Sequence, residues 1–205
     1  MNILIEGWRG INHSYALVNQ WQIKELIKSN KIFFKDMPYL SEKWNLTQND
    51  SGFETNFKDK INNLSMPDKN QDIDVTYRIS GPFDFSTNFN SRLAFVFGTC
   101  ENKVLQEDAF INGKPELLKN NEKFFIHTPS NWSKVGFIEA GFREDQVIVV
   151  PHGVDLDIFN LNRINNDKEI KNRYKINEDN FVLSNIGAMT KNKGVELLVV
   201  AYGIL

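Results

Sequence analysis

Glu101 and His127 come first, because each closes a run of apolar residues. Glu101 follows "RLAFVFGTC", and His127 ends "KFFIH". A carboxylate at such a place can act on a substrate hydroxyl, and an imidazole can do so near neutral pH. Each also has a plainer reading. The carboxylate can rest on a helix dipole, and the histidine can be tied to backbone. Cys100, the single cysteine, has no local histidine to activate it. A buried, inert thiol is expected there, and no disulfide can form within the chain.

Glycines form a second group. "GWRGINHS" sets Gly7 and Gly10 ahead of Ser14. Glycine lets backbone approach a ligand, and a helix opening at Ser14 offers free N–H groups to an anion. A tight turn explains the same pair. The spacing is not G-x-G-x-x-G, so a nicotinamide-dependent oxidoreductase is disfavoured. "PHGVD" carries His152, Gly153 and Asp155. Gly153 suits a positive φ, and Asp155 can cap the segment that follows. Arg78 and Asp84, in "RISGPFD", are expected to form a solvated loop ion pair. His, Asp and Glu are too scattered for metal-ligand spacing, and neither a P-loop nor Gly-x-Ser-x-Gly is present.

The elements that must hold these residues follow from apolar patterning. Strands are predicted at 2–6, 31–36, 72–80, 92–98, 123–128 and 146–150. Ser14 is the predicted N-cap of a helix whose apolar positions include Leu17, Val18, Trp21, Ile23, Leu26 and Ile27. A second helix carries Phe53, Phe57, Ile61 and Leu64, behind a capping box of Ser51 and Glu54. A third is capped by Ser130 and closed by Gly141. Strands alternate with helices, and most strands are continuous apolar runs. That pattern predicts an α/β fold with a doubly wound parallel sheet, covered on both faces. Ligands of such sheets gather off the carboxyl ends of the strands.

Organisation along the chain follows. The first domain is expected over 1–160 and a connector over 161–180, with a short helix around 167–174. Residues 181–187 predict a new strand, and the apolar run after Gly194 a helix. Residues 181–205 therefore read as the opening of a truncated second Rossmann-like domain. Their apolar side is expected to cover the first domain or to drive self-association.

Composition narrows the class. Of 205 residues, 41% are hydrophobic and 24% charged, which suits a packed globular chain. The net charge of −2 gives no support to a nucleic-acid or anionic-membrane surface. No apolar run approaches the ~18–20 residues of a membrane span. The first residues lack a signal-peptide pattern. A soluble, cytoplasmic protein is expected, with peripheral membrane association left open.

Taken in order, the blocks resemble a known family. The run "TPSNWSKVGFIEAGFREDQVIVVPHGVDLDIF" (128–159) is similar to the end of the N-terminal domain in retaining glycosyltransferases of the GT-B fold. "LSNIGAMTKNKGVELLVVAY" (183–202) resembles the block that opens the donor-binding domain of that family. "GINHSYALVNQWQIKEL" resembles its first loop and helix more weakly.

The resemblance implies sugar transfer from a nucleoside diphosphate sugar to a hydroxyl, with retention at the anomeric carbon. The acceptor would be a glycan, a lipid-linked sugar or a protein hydroxyl, and no metal or other cofactor is implied. Gly7, Gly10, Ser14, Gly187, Lys193 and Gly194 would bind the donor and its phosphates. His152, Gly153 and Asp155 would form a cleft rim, and Glu101 and His127 would serve the acceptor side. One departure is Ala188 after Gly187, where the family often carries arginine; Thr190 offers a partial replacement. The family's glutamate pair has no counterpart up to Leu205, so the resemblance implies a fragment inactive by itself. The alternative is a non-catalytic binding or interaction module derived from a glycosyltransferase half.

Overall fold

Six of the predicted apolar runs become neighbours in one sheet. The computed structural model describes residues 1–11, 13–39, 53–86, 90–105, 109–112, 115–157, 159–160, 167–187 and 193–204. In chain order the elements are β1 (Asn2–Gly7), α1 (Ser14–Leu26), β2 (Lys31–Asp36), α2 (Thr55–Asn62), β3 (Ile73–Ile79), β4 (Phe83–Asp84), β5 (Ser91–Phe97), β6 (Phe110–Asn112), α3 (Pro115–Leu118), β7 (Phe124–Thr128), α4 (Asn131–Glu139), β8 (Val147–Val149), α5 (Asp167–Arg173) and α6 (Val195–Tyr202). The sheet runs β2-β1-β3-β5-β7-β8, with every neighbouring pair parallel. β4 and β6 form a separate parallel pair.

Alternation along the strands sorts the core into two layers. Ile3 and Ile5 of β1 join Ile32 and Phe34 of β2, and on this face they meet Ile23 of α1 and Ile61 of α2. On the opposite face Ala94, Val96, Phe124, Ile126 and Val147 pack with Leu118, Phe137 and Phe142. Helical segments thus cover both faces of a parallel sheet. The fold is α/β, doubly wound and Rossmann-like.

Helix starts follow the local chemistry of their caps. His13, not Ser14, caps α1. Its backbone is extended (φ −131°, ψ 142°), and its side chain accepts the Tyr15 N–H. Ser14 is the first residue inside the helix and is exposed. Ser130 caps α4 as predicted by accepting the Ser133 N–H, and Gly141 follows that helix at φ 104°. α2 starts one turn later than a capping box would require. Glu54 is its N-cap residue and makes no side-chain cap bond, and Ser51 lies outside the described residues.

The chain divides into two units, Met1–Gly153 and Val154–Leu205. The second unit contains α5 and α6. Residues 181–187 form no strand, contrary to their apolar pattern. A strand needs a neighbouring backbone to complete its hydrogen bonds, and among the described residues this unit contains no other strand. No residue of α6 is buried, although Leu197, Leu198, Val199 and Val200 are all apolar. Among the described residues no helix is long and apolar enough to cross a membrane.

Candidate functional site at the carboxyl ends of the strands

The strand order reverses between β1 and β3. From β1 the chain steps outward to β2, then crosses back to β3 on the other side. Loops leaving β1 and β3 therefore part at their carboxyl ends, which is where open parallel sheets bind ligands.

The loop after β1 is built around rings. The Trp8 indole N–H donates to Pro38 C=O at 2.9 Å, which holds the ring inward at 1% exposure. His13 stands edge-on to Trp8 at 5.0 Å and to Tyr15 at 5.3 Å. Burial lowers the His13 pKa. The Tyr15 hydroxyl lies 3.2 Å from Thr99 Oγ1, joining α1 to the loop after β5. Gly81, at the end of β3, lies beneath these rings; a Cβ there would be 3.7 Å from Tyr15 and 3.9 Å from Trp8.

Gly7 has a packing role. A Cβ at Gly7 would clash with Asn19 Nδ2 and come within 2.7 Å of Ile79 C=O. Gly10 takes φ 68°, a conformation that favours glycine.

The charged groups nearest the switch point are engaged within the fold. Arg9 forks onto Asp36 through Nε and Nη2, at 3.0 and 2.8 Å. Its Nη1 donates to Ile61 C=O and Leu64 C=O at 2.6 and 2.9 Å. Arg78 and Asp84 do not form the expected solvated pair. Their side chains are 6% and 12% exposed and lie 3.2 Å apart. Arg78 also binds Glu6 at 2.7 Å, and Lys35 binds the same carboxylate at 2.9 Å. The cause is register: Glu6 and Arg78 are direct neighbours across β1 and β3, so their charges are buried together.

Glu101 projects from a loop bonded to α4. The Trp132 indole N–H donates to Glu101 C=O at 2.7 Å. Ser133 Oγ accepts the Cys100 N–H at 2.8 Å. The Lys103 ammonium lies 4.2 Å from the centre of the Trp132 ring. The Glu101 side chain itself is exposed. An open cleft of about 220 Å³ lies beside it, lined by Phe83, Thr99, Glu101, Asn102, Leu105 and Ala109 among others. Its lining mixes a hydroxyl, a carboxylate and an amide with apolar side chains. Cys100 is buried, and burial pushes its thiol pKa up, so it is a poor nucleophile.

His127 is held on both sides of its ring. Tyr77 Oη lies 2.8 Å from Nδ1, and Nε2 lies 3.2 Å from Val150 C=O. Burial lowers the His127 pKa. His152 is exposed, with its ring 5.6 Å from Phe97. Gly153 does not take the expected positive φ; among the described residues the glycines that do are Gly10, Gly141 and Gly194. The chain leaves β8 without a turn through 150–155, so no left-handed residue is needed there.

In the second unit, Asp155 Oδ1 accepts the Asp157 N–H at 2.9 Å and caps its own local turn. Gly187 and Lys193 are neighbours, since a Cβ on Gly187 would lie 3.9 Å from Lys193 Cγ. Gly194, at φ 66°, opens α6, and the Lys193 side chain is exposed. Ala188 and Thr190 lie outside the described residues.

Each unit thus gathers its own subset of the expected residues. Gly7, Gly10, Ser14, Glu101, His127, His152 and Gly153 belong to the first unit, and Asp155, Gly187, Lys193 and Gly194 to the second. Sequence reasoning missed Tyr15, Thr99 and Arg9. An arginine between two glycines was a visible signal for Arg9, whereas a tyrosine on a helix reads as core. Among the described residues, no group of three His, Cys, Asp or Glu side chains is placed to hold a metal ion. No family model and no curated protein matches the chain.

Proposed function

We propose that the chain belongs to a glycosyltransferase that moves a sugar from a nucleoside diphosphate sugar to a hydroxyl acceptor with retention. The observation that carries this reading is the loop after β5, bonded to Trp132 and Ser133 of α4. It offers an exposed carboxylate beside an open cleft lined by both polar and apolar residues, off the carboxyl ends of a parallel sheet. Such a mixed lining suits an acceptor that carries hydroxyls on a less polar frame. Glu101 is the group that receives or orients the acceptor hydroxyl. The fold and the sequence resemblance over 128–202 support the same reading.

The second unit takes the donor part. Lys193 is an exposed cation beside Gly187 and Gly194, at the start of α6. A point charge next to unpaired helix N–H groups favours a diphosphate. The exposed apolar residues of this unit, Phe181, Ile186 and Leu197 among them, support self-association.

The test is turnover by the intact gene product. Release of nucleoside diphosphate is measured over a panel of donor sugars and hydroxyl acceptors. Transfer with retained anomeric configuration is expected, and Glu101→Gln should lower kcat by about 10²–10⁴-fold. Absence of turnover with every donor would overturn the reading. One observation favours a non-catalytic binding module instead: Arg9, in the loop after β1, and Arg78, on β3, are both engaged within the fold. That module would bind an acceptor glycan without consuming any donor.

A further inference from the structure

Among the described tryptophans, Trp8 is buried and Trp21 packs against Phe53, whereas Trp132 stands in water at 54% exposure. Two contacts orient it. Its Nε1–H donates to Glu101 C=O at 2.7 Å, and the Lys103 ammonium lies 4.2 Å from the ring centre. Both partners come from the loop after β5, and α4 approaches that loop closely. A Cβ on Gly136 would clash with Cys100 Sγ and come within 2.9 Å of Lys103 C=O. Lys103 takes φ 59°, uncommon for a residue with a side chain. Val104, one position further, is 68% exposed.

The chemistry of the ring narrows what can lie on it. An indole has one polar hydrogen, and here Glu101 C=O already takes it. The open part of Trp132 therefore offers a ligand its π-surface alone. A pyranose is the complement of such a surface. One of its faces carries C–H bonds, which are apolar and slightly positive, and an aromatic face is slightly negative. Its rim carries hydroxyls, and these need polar partners close by. The same loop supplies them: the Glu101 carboxylate and the Asn102 amide are exposed, and Lys103 brings an ammonium over the ring. Glu101 links the ring to the cleft, since its C=O is bonded to Trp132 and it lines the cleft with Asn102 and Thr99. An alkyl chain would also cover an indole, but it would leave that carboxylate, amide and ammonium without partners.

We propose that Trp132 is the platform for the second sugar of an oligosaccharide acceptor, whose first sugar lies in the cleft beside Glu101. This rests on the sugar-transfer reading, and it narrows the acceptor from any hydroxyl compound to a glycan of at least two sugars. Trp132 takes no part in bond making. It binds and sets register: a sugar seated on the ring delivers the hydroxyl of its neighbour to the Glu101 carboxylate.

The test is binding to the full chain, without donor, of methyl pyranosides, the matching trisaccharides and the matching octyl glycosides. The sugars are glucose, galactose, mannose and N-acetylglucosamine. Binding is read by calorimetry and by the Trp132 indole N–H signal in NMR, assigned by its loss in Trp132→Phe. At least one trisaccharide should move that signal. Trp132→Ala should weaken its binding about tenfold, and that of the methyl pyranoside far less. Trp132→Phe keeps a ring but not the N–H, and should keep most of the affinity. The proposal is overturned if no trisaccharide moves the Trp132 signal, or if an octyl glycoside depends on Trp132 as strongly as the trisaccharide does. It is also overturned if Trp132→Phe loses as much as Trp132→Ala, because the residue would then act only by tying down the Glu101 loop. Turnover separates this from the sugar-transfer reading. Trisaccharide binding that needs Trp132, with no turnover of any donor, supports the platform and removes the transferase. Turnover whose KM for the trisaccharide is the same in Trp132→Ala keeps the transferase and overturns the platform.

Discussion

A methyl group added at Gly7 would have no room. It would clash with Asn19 Nδ2 and press on the Ile79 carbonyl, a backbone group fixed by the β1–β3 pairing. Asn19 is fully buried and donates to Trp8 C=O, so it cannot swing away without losing that bond. Gly7→Ala should cost about 1–3 kcal/mol by overpacking, read as a lower denaturant midpoint. Any loss of ligand affinity in that variant would then follow from packing. Much at this scale was legible only as residue type. Glu6 and Arg78 are visible as charges at the ends of apolar runs. Their pairing depends on β1 and β3 lying side by side, although 72 positions separate the two residues. Local pattern carries no such information, which is why Arg78 with Asp84 read as a solvated pair. His127 shows the same limit, although its tie to backbone was among the readings. Its strand-end position was readable, but the Tyr77 and Val150 groups that occupy its nitrogens come from distant elements.

At the scale of elements, Arg9 shows how one side chain can anchor a helix. Its Nη1 binds carbonyls at the end of α2, its other two nitrogens grip Asp36 at the end of β2, and its guanidinium lies 4.6 Å from the centre of the Phe34 ring. Lysine keeps the charge but not the fork. Arg9→Lys should cost about 1.5–3 kcal/mol, on the scale of a charged hydrogen bond lost. Hydrogen exchange should quicken in α2 before it does in β1. Long apolar runs made the six sheet strands readable to within a residue or two, because burial on both faces demands such runs. β4, β6 and α3 are two, three and four residues long, too short for any period to show. The segment 181–187 misled in the opposite direction. Its residues favour a strand, but a strand exists only with a neighbour to bond to.

For the molecule as a whole, the three clusters of buried apolar residues draw their members from positions 3 to 147, all within the first unit. Residues 1–153 expressed alone should therefore fold, with a single cooperative denaturant transition and the circular dichroism of an α/β protein. A featureless, non-cooperative melt would refute this. The two flanks of the sheet also differ. On one side the Phe34 N–H of β2 bonds to Ser65 C=O, so the chain folds back over its own outer strand. On the other side β8 is three residues long, and Ile148 is 38% exposed. A long free strand edge is a template for another backbone, and shortness blunts it. Growth of the sheet by a foreign peptide is thus opposed by different means at its two flanks: at β2 by the chain's own Ser65 carbonyl, and at β8 by a strand too short to offer a long row of bonds.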